Sequence, residues 1–241
     1  MDWPCPDIIY FPRIALAVII GAFLCLDRIA LQLMVSRPVV AAPMVGLVLG
    51  NPFAGLLAGA LVEIFWVNKS PLGTYAPPNE TVAAVVIAMT TIITGEGRDY
   101  YMKEVLVLSV LVCLPLGHLS QSLERVPARF NLHMSERALR NLDGPDEYPW
   151  KKVSLLPSLL FYFLFSLSFI VAGFLVSLFI IKVLLEILPS FAFRGLHFLF
   201  YVLPLIGVAV VLTTTRHKKS LAVFLGVFAV AVLLVECMRF L

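Results

Sequence analysis

The sequence predicts an all-α polytopic membrane protein of about seven apolar segments, with broken or re-entrant helices in its N-terminal half. Three observations carry that prediction. Of 241 residues, 61% are hydrophobic and only 14% charged, with a mean hydropathy of +0.97, whereas a soluble domain carries roughly a quarter charged residues. Residues 153–185 and 221–235 are apolar runs too long for a soluble core. Residues 39–50 and 53–66 are apolar and dense in small side chains, yet each is shorter than the ~20 residues of a spanning helix. The chain divides into an N-terminal membrane region (1–122), a basic segment (123–152) and C-terminal membrane helices (153–241).

The elements follow in order. Residues 1–13 hold Pro4, Pro6 and Pro12, with Trp3 and Tyr10 suited to the headgroup layer. Residues 14–26 are apolar and end at Asp27-Arg28. They follow Asp2, Asp7 and Arg13 without a basic start or a small-residue cleavage site, so they are expected to stay as a membrane element. Residues 29–35 continue the apolar pattern until Ser36-Arg37-Pro38 breaks it. The two short runs come next, parted by Asn51-Pro52. Residues 68–80 are polar and rich in Pro and Gly, which predicts non-helical backbone buried in protein or lining a cavity. Residues 81–94 and 105–119 are apolar, the latter interrupted by Pro115. The only long polar segment, 121–152, carries Arg125, Arg129, Arg137, Arg140, Lys151 and Lys152, which places it on the cytoplasmic side. By the same rule Arg194 is outside, Arg216, Lys218 and Lys219 are inside, and the chain ends outside. The net charge of +3 is small and bears on orientation; no nucleic-acid partner is implied.

Charged and amide groups sit at or inside the apolar segments, at Asp27, Arg28, Arg37, Glu63 and Asn68, and the loop that follows adds Asn79 and Glu80. An ionised group at membrane depth costs at least ~2.5–3.5 kcal/mol on insertion scales, so each needs a partner, a cavity or a ligand. Short broken segments with such groups mark a transporter's binding site. On one helix face, Asn51, Gly55, Gly59 and Glu63 follow at four-residue spacing, with Trp66 three further on. Two readings stay open for this stripe. The glycines serve close helix packing, or they lead a solute to the Glu63 carboxylate. Glu63 and Arg37 are either each other's ion pair or part of a site. Trp66 is either an interfacial belt residue or an apolar platform for a sugar ring. Thr74 and Tyr75 add polar and aromatic groups to the loop. Asp27-Arg28 reads as a local pair at a helix end. His118 and His197 read as packed or hydrogen-bonded, and the scattered Cys5, Cys25, Cys113 and Cys237 as packing residues rather than zinc ligands or a disulfide framework. No nucleotide-binding glycine loop and no nucleophile elbow occur.

At Leu26-Asp27, Arg37-Pro38, GLVLG (46–50), the GxxxGxxxE run from Gly55 to Glu63 and PLGTYAPPNETVAA (71–84), the chain resembles enzyme IIC of the mannose/fructose/sorbose family of the bacterial sugar phosphotransferase system. The likeness covers residues 14–95 best. It implies a multi-pass subunit of the bacterial inner membrane that moves a hexose and pairs with a IID membrane subunit. The soluble IIA and IIB subunits would carry the phosphoryl group. It further implies no cofactor, no metal, no enzymatic activity of its own, and a homo-oligomer of IIC–IID pairs. The expected substrate-binding residues are Glu63, Trp66, Asn68, Thr74, Asn79 and Glu80, with Asp27, Arg37, Gly55 and Gly59 as supports or further site residues. The family often has an aspartate where this chain has Asn79, and its glycine-rich pattern is missing around residues 199–215. A IIC-like subunit kept for regulation or scaffolding is the alternative, and an enzyme acting on lipid a more distant one.

Overall fold

A computed structural model describes residues 10–66, 79–95, 102–140 and 156–214. These form eight helices and, among the described residues, no strand: α1 Tyr10–Asp27, α2 Pro38–Leu49, α3 Pro52–Trp66, α4 Glu80–Gly95, α5 Met102–Leu123, α6 Arg125–Arg140, α7 Leu156–Ile187 and α8 Ser190–Thr214. The helix α4 is buried along nearly all its length, with α1, α2, α3, α5 and α7 packed around it. The helix α8 closes against α3 and α5, and α6 lies against α7. At 32 residues α7 reaches about 48 Å, ample for a bilayer of about 30 Å.

The break before α2 is local chemistry. Pro38 at the first helical position fixes its own φ and pushes Arg37 to extended backbone (φ −62°, ψ 139°). Residues 28–37 do not continue a helix as their apolar pattern suggests. Gln32 (φ 53°) and Met34 (φ 62°) stand in the left-handed region, held by the Asp27 carboxylate, which accepts the N–H of Leu33 at 2.9 Å and of Ser36 at 3.0 Å. The expected Asp27–Arg28 pair is therefore corrected. Asp27 is committed to backbone donors, while Arg28 faces Glu124 at 3.7 Å.

The helices α2 and α3 have 12 and 15 residues, or about 18 and 23 Å of rise. Gly50 ends α2 at φ 91°, a left-handed position that glycine occupies without strain. Asn51 then begins α3, its Oδ1 accepting the Ala54 N–H at 3.0 Å. The hairpin closes backbone to backbone. A Cβ on Gly55 would sit 2.5 Å from the Ala42 carbonyl oxygen, and one on Gly59 would run into the Pro38 carbonyl. The glycine stripe thus faces α2, as small-residue spacing allows. The helix α5 runs unbroken through Pro115 to Leu123, past the apolar run that ends at residue 119. The basic segment 123–152, expected as a cytoplasmic loop between membrane regions, contains α6.

Substituting Gly59→Leu is expected to destabilise the purified protein by about 1–3 kcal/mol or more, because backbone rather than a flexible side chain blocks the new atoms. Gly195→Ala, with nothing within 4 Å of its added Cβ, is expected to be neutral or slightly stabilising. Thermal unfolding of both variants in one detergent checks the contrast.

Candidate functional site

The loop 28–37 delivers Arg37 to a point where two helix ends meet. Ser36 fixes its position from both sides: its N–H donates to Asp27 at 3.0 Å, and its carbonyl accepts the Thr81 hydroxyl of α4 at 2.6 Å. The Arg37 Nη1 then lies 3.5 Å from Glu63 Oε1, near the end of α3, and 3.3 Å from Glu80 Oε1, at the start of α4. Glu63 Oε2 also accepts the Val39 N–H at 3.5 Å. Both ion pairs are longer than the roughly 2.7–2.9 Å of a tight charge-assisted bond, and one cation faces two anions. The three side chains are 45% (Arg37), 25% (Glu63) and 21% (Glu80) exposed. The cluster therefore combines an excess of acceptor capacity with an open side.

Asn79 belongs to a second, inward-facing group. Its Oδ1 caps α4 by accepting the Val82 N–H at 3.2 Å, and its Nδ2 donates to Glu124 Oε1 at 2.7 Å. Its own N–H reaches Ser120 Oγ at 3.3 Å, and Ser120 donates in turn to the Gly117 carbonyl at 2.8 Å. Beside them lies a cavity of about 10 Å³ lined by Asn79, Ser120, Glu124, Tyr162, Ser166 and Phe169, room for about one water at most. Glu124, shared between Asn79 and Arg28, ties the end of α5 to the loops before α2 and α4.

Trp66 is 3% exposed. A Cβ on Gly117 would lie 2.9 Å from its ring, and the His118 ring stands 6.0 Å away, centre to centre. It is packed between α3 and α5 instead of being displayed as a belt. Asn68 and Thr74, with Tyr75, lie outside the described residues. Of the residues singled out in the sequence, the structure gathers Arg37, Glu63 and Glu80 into one cluster, with Asp27 bracing the loop and Gly55 and Gly59 bracing α3. Asn79 adjoins that cluster through Glu80 while bonding elsewhere.

Sequence reasoning missed Glu124, although it follows Ser120 by one helical turn. It also missed the pairing of His197 Nδ1 with Glu104 Oε1 at 2.7 Å, where α8 meets the start of α5. Lys103 Nζ lies 3.0 Å from the Tyr201 hydroxyl next to it. Among the described residues, no group of three His, Cys, Asp or Glu side chains is placed to hold a metal ion.

Comparison with known proteins gives the family and the fold. The family model described as the PTS system sorbose-specific IIC component matches residues 12–240. A putative N-acetylgalactosamine permease IIC component 2 of Escherichia coli (strain K12) is 32% identical over 103 residues, which are 43% of this chain and 77% of that protein. Among solved structures, one described as a membrane protein is similar at a TM-score of 0.69 and 19% identity, covering 91% of this chain and 86% of its own. The mannose transporter ManYZ in complex with microcin E492 is similar at a TM-score of 0.57 and 19% identity, covering 92% of this chain and 86% of the solved one. At that identity the two structures speak for the fold, which is a membrane-protein fold. The family match runs over nearly the whole chain, and on that ground the protein belongs to the sorbose-specific IIC component family of the PTS, a family of membrane permease components.

Proposed function

We propose that this chain is the sugar-translocating IIC subunit of a phosphoenolpyruvate-dependent phosphotransferase permease, importing a hexose that partner subunits phosphorylate. One observation carries the reading: a guanidinium and two carboxylates meet, partly open, at the ends of helices too short to cross a bilayer. Such groups are stable at membrane depth only with partners or a polar solute, and half-length helices around a polar break are how transporters build a midplane site. In this reading the α2–α3 hairpin is re-entrant. Glu63 and Glu80 accept hydrogen bonds from sugar hydroxyls, and Arg37 holds the two carboxylates at a fixed separation. Asn68 and Thr74 supply neutral donors and acceptors, with Asn79 joining them only where it lets go of Glu124. Trp66 becomes an apolar platform where the packing against Gly117 opens.

The chain would work in the inner membrane as a multi-pass subunit beside a IID partner, in an oligomer of such pairs. The IIB subunit, charged by IIA, would deliver the phosphoryl group at the cytoplasmic face without phosphorylating a residue of this chain. The family assignment and the permease relative support this reading, and the fold likeness to a mannose transporter agrees with it.

Vesicles holding this chain with its IID partner are expected to accumulate phosphorylated hexose when supplied with phosphocarriers and phosphoenolpyruvate. A regulatory or scaffolding subunit gives none. Glu63→Gln is expected to abolish that uptake while the variant still copurifies with IID; undiminished uptake would take Glu63 out of the site. Arg37→Gln leaves two carboxylates facing each other. It is expected to cost uptake and also about 1–2 kcal/mol of stability, less than for a fully buried pair because the cluster is partly solvated. Unfolding curves of Arg37→Gln against Glu63→Gln separate the two effects.

A further inference from the structure

The helix α6 starts one residue beyond α5 and presents three dissimilar sides. Pro127, Phe130, Asn131 and Met134 recur at three- and four-residue spacing, which puts them on one face. Pro127 is buried, and the Phe130 ring stacks on Phe161 of α7 with centroids 4.2 Å apart. That face is the protein-facing one. On the opposite side the helical register sets two flanks next to each other. One carries Arg125, Arg129 and His133, all exposed, with exposed Glu136 on the same flank two turns beyond Arg129. The other carries exposed Ala128 and Leu132, the latter 61% exposed. Arg137 and Arg140 fall in the last turn, so the helix holds four arginines against one glutamate.

An exposed leucine alone means little. Here it continues a larger surface. The stack on Phe161 puts α6 beside the first turns of α7, where Leu156, Leu160 and Leu164 are exposed by 73, 55 and 53%. In a membrane protein that apolar face is the one acyl chains wet, and α6 lies at its margin. A helix with apolar residues on one flank, cations on the next and little overall hydrophobicity is suited to the plane of the interface. Arginine forks match phosphate oxygens in geometry as well as in charge.

We propose that α6 is an interfacial helix whose Ala128–Leu132 flank lies at the acyl boundary of the lipid on α7, and whose Arg125 and Arg129 bind the phosphates of anionic phospholipid headgroups. The flank next to a lipid-facing surface favours this occupant over an acidic protein surface, which would need the cations but not the leucine beside them. The inference stands apart from the transport reading, because it requires only that the chain be embedded in a bilayer.

The test uses the full chain reconstituted into phosphatidylcholine vesicles, with trace spin-labelled phosphatidylglycerol or spin-labelled phosphatidylcholine read by electron paramagnetic resonance. Wild type is expected to immobilise a larger fraction of the phosphatidylglycerol probe. The Arg125→Gln/Arg129→Gln variant is expected to fall to parity between the two probes, and Arg125→Lys/Arg129→Lys to retain most of the preference. High salt is expected to weaken the preference. Both variants change exposed positions, and circular dichroism confirms that the helical content is kept. Equal immobilisation of the two probes by wild type would overturn the proposal, as would a preference that survives the glutamine variant. An intact lipid preference in that variant, together with lost binding of a soluble phosphocarrier subunit, would assign the arginines to a protein surface instead.

Discussion

One guanidinium between two carboxylates is the constraint on which the rest of this structure turns. Arg37 comes from the loop before α2, Glu63 from the end of α3 and Glu80 from the start of α4, so one set of charges fixes three chain segments at a single point. In water such pairs contribute little. In the proposed midplane site the desolvation of each ion would be large, and two anions sharing one cation would leave a residual charge for a polar solute to meet. Everything nearby serves to hold this arrangement. Asp27 shapes the loop that presents Arg37, Thr81 bonds the carbonyl just before it, and the Gly55 and Gly59 contacts with α2 set where Glu63 stands.

The rest of the fold explains how so costly a cluster is tolerated. The helix α4 is buried along its length and makes the rigid wall from which Asn79 and Glu80 emerge. Their side chains then diverge. Asn79 turns inward to Glu124 and Ser120 and fastens the cap of α4 to the end of α5, while Glu80 turns to Arg37. A carboxylate at position 79 would lie against Glu124 and repel it. The amide here donates to that carboxylate instead, at 2.7 Å.

Much of this was legible in the sequence, and the rest was not, for physical reasons. Breaks are local: Pro38, Gly50-Asn51 and Pro52 act through their own dihedrals and missing donors, so the ends of α2 and α3 could be read directly. The glycine stripe and its carboxylate also follow from helical spacing. Glu80 as a third member of the Arg37–Glu63 pair did not, nor did Glu124 beside Asn79, 45 positions away, or His197 beside Glu104, 93 positions away. Those pairings depend on which helices pack together, and no short-range pattern encodes that. Two local readings also failed. Left-handed Gln32 and Met34 carry no glycine to announce them. Of the two readings of Trp66, the belt residue is the one that fails: Gly117 on α5 leaves room for its ring inside.

The central claim is that a passing solute takes up the acceptor capacity left at Glu63 and Glu80. The most direct measurement is carbodiimide modification of the IIC–IID complex in bilayers, followed carboxylate by carboxylate by peptide mass analysis with and without hexose. Sugar is expected to shield Glu63 and Glu80 while leaving exposed Glu136 as reactive as before. Equal modification of Glu63 and Glu80 in the presence and absence of every hexose tried would contradict the account.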